Sequence, residues 1–222
     1  MNTLIIFDFD GVIVDTEKTT FNFYQNELER KGIIVPDSDF KYKIGRKSVD
    51  FFKDILKDKY NTELVEDLIQ KKRDAFIGDI PRYVHPIVET HKLIKDCFDS
   101  GLTLVLGSQN EKQVIERTID VFDLRKYFSL VLSIDDIQEK KPNPEIFLLA
   151  MQKMNKNSEQ TVVIEDSPTG IQAAKRAGCT AIGLARAFDP AELFQADMVV
   201  HSAQELNPEL LRSCRSTSKI SN

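Results

Sequence analysis

Short apolar runs alternate along the chain with longer stretches in which apolar side chains recur every three or four residues. Thr3–Phe7, Thr103–Leu106, Leu130–Ile134 and Thr161–Ile164 read as strands, with Thr180–Leu184 and Met198–Val200 as two weaker ones. Each is rich in Val, Ile or Leu without clean alternation, the pattern of a strand covered on both faces. Between them the spacing predicts helices over His85–Phe98, Glu111–Val121, Pro144–Met154 and Thr169–Ala177. The first carries Pro86 in its opening turn and stops before Gly101; the last stops at Gly178. Strand and helix in alternation imply a parallel α/β sheet.

Residues from Thr16 to Ile80 break that alternation. They read as helices over Lys18–Lys31, Lys47–Lys57 and Glu63–Ile77, separated by Gly32 with Pro36 and by the polar stretch Asp58–Thr62. A helical block between the first and second strands implies an inserted cap domain, residues 16–80. The core is then discontinuous, residues 1–15 with 81–222: a Rossmann-like sheet with helices on both faces. The polar, serine-rich tail Ser213–Asn222 is expected to fray.

Composition narrows the function classes. Over 222 residues the net charge is -5, so the chain lacks the basic footprint of a nucleic-acid binder. The cluster Lys71-Lys72-Arg73 is flanked by acids and reads as a solvated helix face. Three separated cysteines, Cys97, Cys179 and Cys214, form no metal or disulfide pattern and imply reduced thiols. No stretch approaches the ~20 apolar residues of a membrane span. The opening Leu4-Ile5-Ile6-Phe7 is too short for a signal segment and meets an aspartate at once. A cytoplasmic protein without nucleic-acid or membrane partners is expected, with a monomer as the default.

The candidate chemistry lies at strand ends. Asp8 and Asp10 follow the first strand, and Gly11 suits a tight turn after them. In parallel α/β sheets ligands bind beyond the carboxyl ends of the strands. Glu165 and Asp166 follow another strand, and carboxylates from two strand ends can converge on one hard cation, Mg²⁺ rather than zinc. Asp166 can also cap the helix after it. Ser108, with Gln109 and Asn110 before a helix, can make an anion cradle, or simply a helix cap. Lys140 or Lys141, held by Pro142 and Pro144, can offset phosphate charge. The set fits a carboxylate attacking phosphorus while an acid protonates the leaving group.

The motifs DFDGVIVDTE (8–17), LGSQN (106–110), KKPNPEIF (140–147) and VIEDSPTGI (163–171) resemble those of the haloacid dehalogenase superfamily. The resemblance runs from about Leu4 to Leu206 and is nearest the helical-cap phosphatase and β-phosphoglucomutase branch. It implies a Mg²⁺-dependent phosphatase acting on a small phosphorylated metabolite, a sugar phosphate or similar, through an aspartyl phosphate. By position it implies Asp8 as nucleophile and metal ligand, and Asp10 as general acid/base with its backbone carbonyl on the metal. It implies Ser108 and Lys141, rather than Lys140, at the phosphate, with Gln109 in the same cradle. Asp166 becomes a metal ligand, and Glu165 a second ligand or its outer partner. Gly45, Arg46 and Lys47 fall at the cap turn that contacts substrate in this branch, unless they are only a solvated basic turn.

Mutases of the branch carry a histidine in the first cap helix. Thr20 stands there, and the chain's histidines are His85, His91 and His201. Dehalogenases lack the second aspartate. Receiver domains place the phosphorylated aspartate after the third strand and have no insert. Hydrolysis of a phosphate ester is therefore the reading preferred over isomerisation or signalling.

Overall fold

The structure, a computed structural model, describes residues 3–42 and 48–214. Its strands are β1 (Leu4–Phe7), β2 (Val14–Asp15), β3 (His85–Pro86), β4 (Thr103–Gly107), β5 (Leu130–Leu132), β6 (Thr161–Glu165), β7 (Thr180–Leu184) and β8 (Met198–Val200). Its helices are α1 (Glu17–Glu29), α2 (Ser48–Leu56), α3 (Thr62–Gly78), α4 (Ile80–Tyr83), α5 (Val88–Asp99), α6 (Lys112–Val121), α7 (Glu145–Lys153), α8 (Pro168–Arg176) and α9 (Pro208–Ser213). The chain divides into two compact units. One holds residues 1–14 and 86–222, the other residues 15–85.

In the first unit six parallel strands form one sheet in the order β5-β4-β1-β6-β7-β8. The α/β expectation is met. The chain runs outward from β1 to β4 and β5, then returns to β6 on the other side. Strand order therefore reverses at β1, the point where such sheets open a crevice. Phe7 is in register with Leu106 on one side and Ile164 on the other, so β1, β4 and β6 deliver their following residues level with one another.

Both faces of this sheet are buried. Leu4, Ile6, Val105, Leu132, Val163 and Ala181 pack with Phe147 and Met151 of α7 and with Ile171 and Ala174 of α8. The alternate residues Ile5, Phe7, Leu104, Leu106, Val162 and Ile164 are buried as well. Each such side chain contributes about 1.5–3 kcal/mol of transfer free energy, so the unbroken apolar runs are what a two-sided sheet requires. Cys97 and Cys179 are buried here as free thiols.

The second unit is helical and has its own aromatic core. Tyr24 meets Phe52 at 4.7 Å between ring centroids, and Phe51 meets Phe52 at 5.4 Å. The Tyr24 hydroxyl donates to Ser48 Oγ at 2.9 Å, and burial pushes its pKa up to about 12.

Several boundaries differ from expectation for local reasons. The helix expected from His85 starts at Val88, because a residue before proline is steered out of the α region and His85–Pro86 is extended as β3. The strand expected through Ile134 stops at Leu132. Ser133 there donates from its backbone N–H and its hydroxyl to Asp136, both at 2.9 Å, and starts a 3₁₀ turn. α2 ends at Leu56, where Lys57 takes φ +48°. Two short helices were not expected, α4 and α9. Asp79 and Asn207 cap them, accepting from the Arg82 and Leu210 N–H groups, with Pro81 and Pro208 in their first turns. Of the tail expected to fray, Ser213 ends α9 and residues 215–222 lie outside the described residues. Among the described residues no helix is long and apolar enough to cross a membrane.

Candidate active site

Three strand ends build the site. The Asp8 N–H donates to the Ile164 carbonyl at 3.0 Å, continuing the β1–β6 pairing by one residue. The chain then folds back: the Phe9 carbonyl accepts from the Ile13 and Val14 N–H groups at 2.8 and 3.1 Å, and the Gly11 N–H donates to the Val14 carbonyl at 2.8 Å. Gly11 sits at φ +71°, and a Cβ there would lie 1.7 Å from Asp166 Oδ2. Backbone geometry and space both demand glycine at this turn.

After β4, the Ser108 N–H donates to the Leu132 carbonyl at 3.0 Å, and its hydroxyl accepts from the Asn110 N–H at 3.0 Å. The hydroxyl therefore braces its own loop. α6 begins at Glu111 as N-cap, so Ser108 is not the helix cap. After β6, Ser167 is the N-cap of α8 and accepts from the Gly170 N–H at 3.1 Å. That leaves Asp166, the other candidate cap, out of the capping role.

Lys141 ties these ends together. Its Nζ is 2.5 Å from Asp8 Oδ1, 2.7 Å from Glu165 Oε1 and 3.4 Å from the Gly107 carbonyl. Lys141 is 9% exposed, whereas Lys140 faces solvent. Glu165, 1% exposed, spends its other oxygen on Ser167, accepting from the N–H and the hydroxyl at 2.9 Å each. A Cβ on Gly170 would lie 1.7 Å from Glu165 Oε1, so the first turn of α8 leaves room only for glycine. Asn110 Nδ2 donates to Asp10 Oδ2.

Asp8, Glu165 and Asp166 each offer a carboxylate oxygen within 4.8 Å of the others. Burial drives the Asp8 carboxyl up to about 7; Lys141 pulls it down, and Glu165 and Asp10 push it up. Asp166 rises well above the usual carboxylate range, through burial first and then Glu165, Asp8 and Asp10. Burial depresses the Lys141 ammonium, but Asp8 and Glu165 more than offset it and hold the group charged.

Three clustered carboxylates against one lysine are an uncompensated buried charge, which a hard divalent cation with oxygen ligands would balance. Asp8 and Asp166 could hold such an ion. Glu165 is already engaged on both oxygens and suits the outer position. Asp10's carboxylate lies outside the trio. Gln109 Nε2 is buried without a hydrogen-bond partner, a donor available to an anion. Gly45, Arg46 and Lys47 lie outside the described residues. Sequence reasoning passed over Ser167, Gly170 and the Asn110 side chain. Only the SPTG run after Asp166 hinted at the first two.

The profile of the haloacid dehalogenase-like hydrolases matches residues 5–184. The chain belongs to this family. Three curated relatives align over most of both chains. YhcW of Bacillus subtilis is 31% identical over 179 residues, 78% of this chain and 79% of that one. The phosphorylated carbohydrates phosphatase of Thermotoga maritima is 28% identical over 178 residues, 78% and 81%. The phosphoglycolate phosphatase of Aquifex aeolicus is 28% identical over 184 residues, 82% and 84%. Among solved structures, CbbY of Rhodobacter sphaeroides in complex with phosphate superposes with a TM-score of 0.79 at 21% identity, over 96% of this chain and all of that one. This haloacid dehalogenase-like chain is thus an enzyme of the phosphatase kind, and the likeness to CbbY shows a shared fold.

Proposed function

We propose that this enzyme is a Mg²⁺-dependent phosphatase that hydrolyses a small-molecule phosphomonoester through a phosphoryl-Asp8 intermediate. The observation that carries the reading is the buried Asp8 carboxylate, 2.5 Å from Lys141 and beside Asp166 and Glu165 at the level ends of three strands. Asp8 attacks phosphorus and the ester P–O bond breaks. Asp10 gives its proton to the leaving oxygen. Water then attacks the acyl phosphate, Asp10 takes the water's proton, and inorganic phosphate leaves with Asp8 restored. Lys141 stands where it can meet the phosphoryl oxygens as well as Asp8, and Ser108 with Gln109 offers donors at the next strand end. Mg²⁺, held by Asp8, Asp166 and the Asp10 carbonyl, with Glu165 behind, would neutralise phosphoryl charge when bound.

The curated relatives named for phosphorylated carbohydrates and phosphoglycolate support a small phosphorylated metabolite as substrate. Residues 16–80 serve in this reading as the cap, and Gly45, Arg46 and Lys47 as its contribution to substrate choice. Isomerisation is the second reading. It is disfavoured because α1 has no histidine and Thr20 occupies the corresponding place.

Purified protein with Mg²⁺ is expected to hydrolyse p-nitrophenyl phosphate. Asp8→Asn should fall to background with an unchanged circular dichroism spectrum. Wild-type turnover by the folded variant rejects Asp8 as nucleophile. Efficient conversion of β-glucose 1-phosphate to glucose 6-phosphate with a bisphosphate activator would replace hydrolysis by the mutase reading.

A further inference from the structure

Asn110 is held at three points. Its N–H donates to the Ser108 hydroxyl at 3.0 Å, its carbonyl accepts from the Ile134 N–H at 3.0 Å, and its side-chain Nδ2 donates to Asp10 Oδ2. The two residues are 100 positions apart in the chain and meet because β1 and β4 are neighbours in register. The hydrogen bonds that fold the loop after β1 run through the Phe9, Gly11 and Val14 backbones. They fix the Asp10 backbone but do not choose among the rotamers of its side chain.

We infer that Asn110 is a positioning residue that holds the Asp10 carboxyl in the orientation needed to exchange a proton with the leaving oxygen. The inference rests on the assignment of Asp10 as the general acid. A backbone-anchored amide donor on one carboxyl oxygen selects one rotamer. It cannot take up the proton itself, because an amide N–H is only a donor. Asn110 thus orients the acid without competing for what the acid transfers.

The readout is the dependence on leaving group. p-Nitrophenolate departs without a proton, whereas an alkoxide needs one. The ratio of kcat/KM on an alkyl phosphate to kcat/KM on p-nitrophenyl phosphate therefore isolates the acid's work in the first step. In the Mg²⁺-loaded enzyme, Asp10→Asn should lower this ratio by ~100-fold or more. Asn110→Ala should lower it by roughly tenfold, the scale of one hydrogen bond to a charged group. Asn110→Asp keeps the shape but loses the donor; it should lower the ratio at least as far and serves if the alanine variant does not fold. Combining Asp10→Asn with Asn110→Ala should lower the ratio no further, since the two act through one group. If Asn110 variants change both esters by the same factor, or neither, while Asp10→Asn discriminates between them, the positioning role is overturned and the acid stands. If Asp10→Asn does not discriminate, the acid assignment fails and takes the positioning role with it.

Discussion

Asp8 holds its proton up to about pH 7 in the metal-free enzyme, because burial disfavours its charge more than Lys141 restores it, and Glu165 and Asp10 add to the cost. Asp166 shifts in the same direction. A carboxyl with a raised folded-state pKa keeps its proton where the unfolded chain, near 3.8, has lost it. Its contribution to stability is full below the unfolded value and is lost as the pH climbs through about 7. Melting temperatures in EDTA should therefore fall between pH 5 and pH 8. Saturating Mg²⁺, which binds the ionised carboxylates, should flatten or reverse that slope. A melt in EDTA that rises over this range would show that the cluster is not strained by its own charge. At this scale the sequence was informative. Acids directly after apolar strands are costly without a partner, so Asp8, Asp10, Glu165 and Asp166 stand out in the sequence itself. The Asn110–Asp10 contact did not stand out, because an asparagine before a helix carries a ready local explanation as a cap.

The first turn of α8 serves the cluster by packing against Glu165. Gly170 is buried there, and an added Cβ would lie 1.7 Å from Glu165 Oε1 and 1.9 Å from its Cδ. A free glutamate would swing away, but this one is clamped by Lys141 on one side and by the Ser167 N–H and hydroxyl on the other. Gly170→Ala is expected to destabilise by about 1–3 kcal/mol, the usual cost of overpacking, as read by urea denaturation. It should also lower kcat by loosening Lys141. A neutral Gly170→Ala would mean that Glu165 can leave its clamp freely. Among the elements, the long periodic helices and the Val/Ile-rich strands were legible because burial imposes their pattern over many residues. α4 and α9 are too short for a period to emerge, and only their Asp79 and Asn207 caps with following prolines mark them. At His85–Pro86 two effects of proline compete: a proline near a helix start favours a first turn, yet the same ring pushes the residue before it into the extended geometry found here.

At the scale of the whole molecule the chain is two compact units with separate apolar cores, and the cluster of acids belongs to one of them. The helical unit has a core rich in aromatic side chains. Phe52 is fully buried between Tyr24 and Phe51, with ring centroids at 4.7 and 5.4 Å. Phe52→Ala removes the centre of that aromatic group and should cost about 3–5 kcal/mol. Because Phe52 contributes nothing to the sheet's core, the loss should be local. Native-state hydrogen exchange is expected to show amides of α1, α2 and α3 opening more readily, while those of β1, β4 and β6 keep their protection. Mg²⁺ should raise the protection of β1 and β6, whose ends carry Asp8 and Asp166, and leave the weakened helices of the variant as they are. Equal loss of protection in both units would show that they fold as one cooperative body despite their separate cores. A local loss makes the helical unit an element that substitutions can reshape without disturbing the carboxylates at the strand ends.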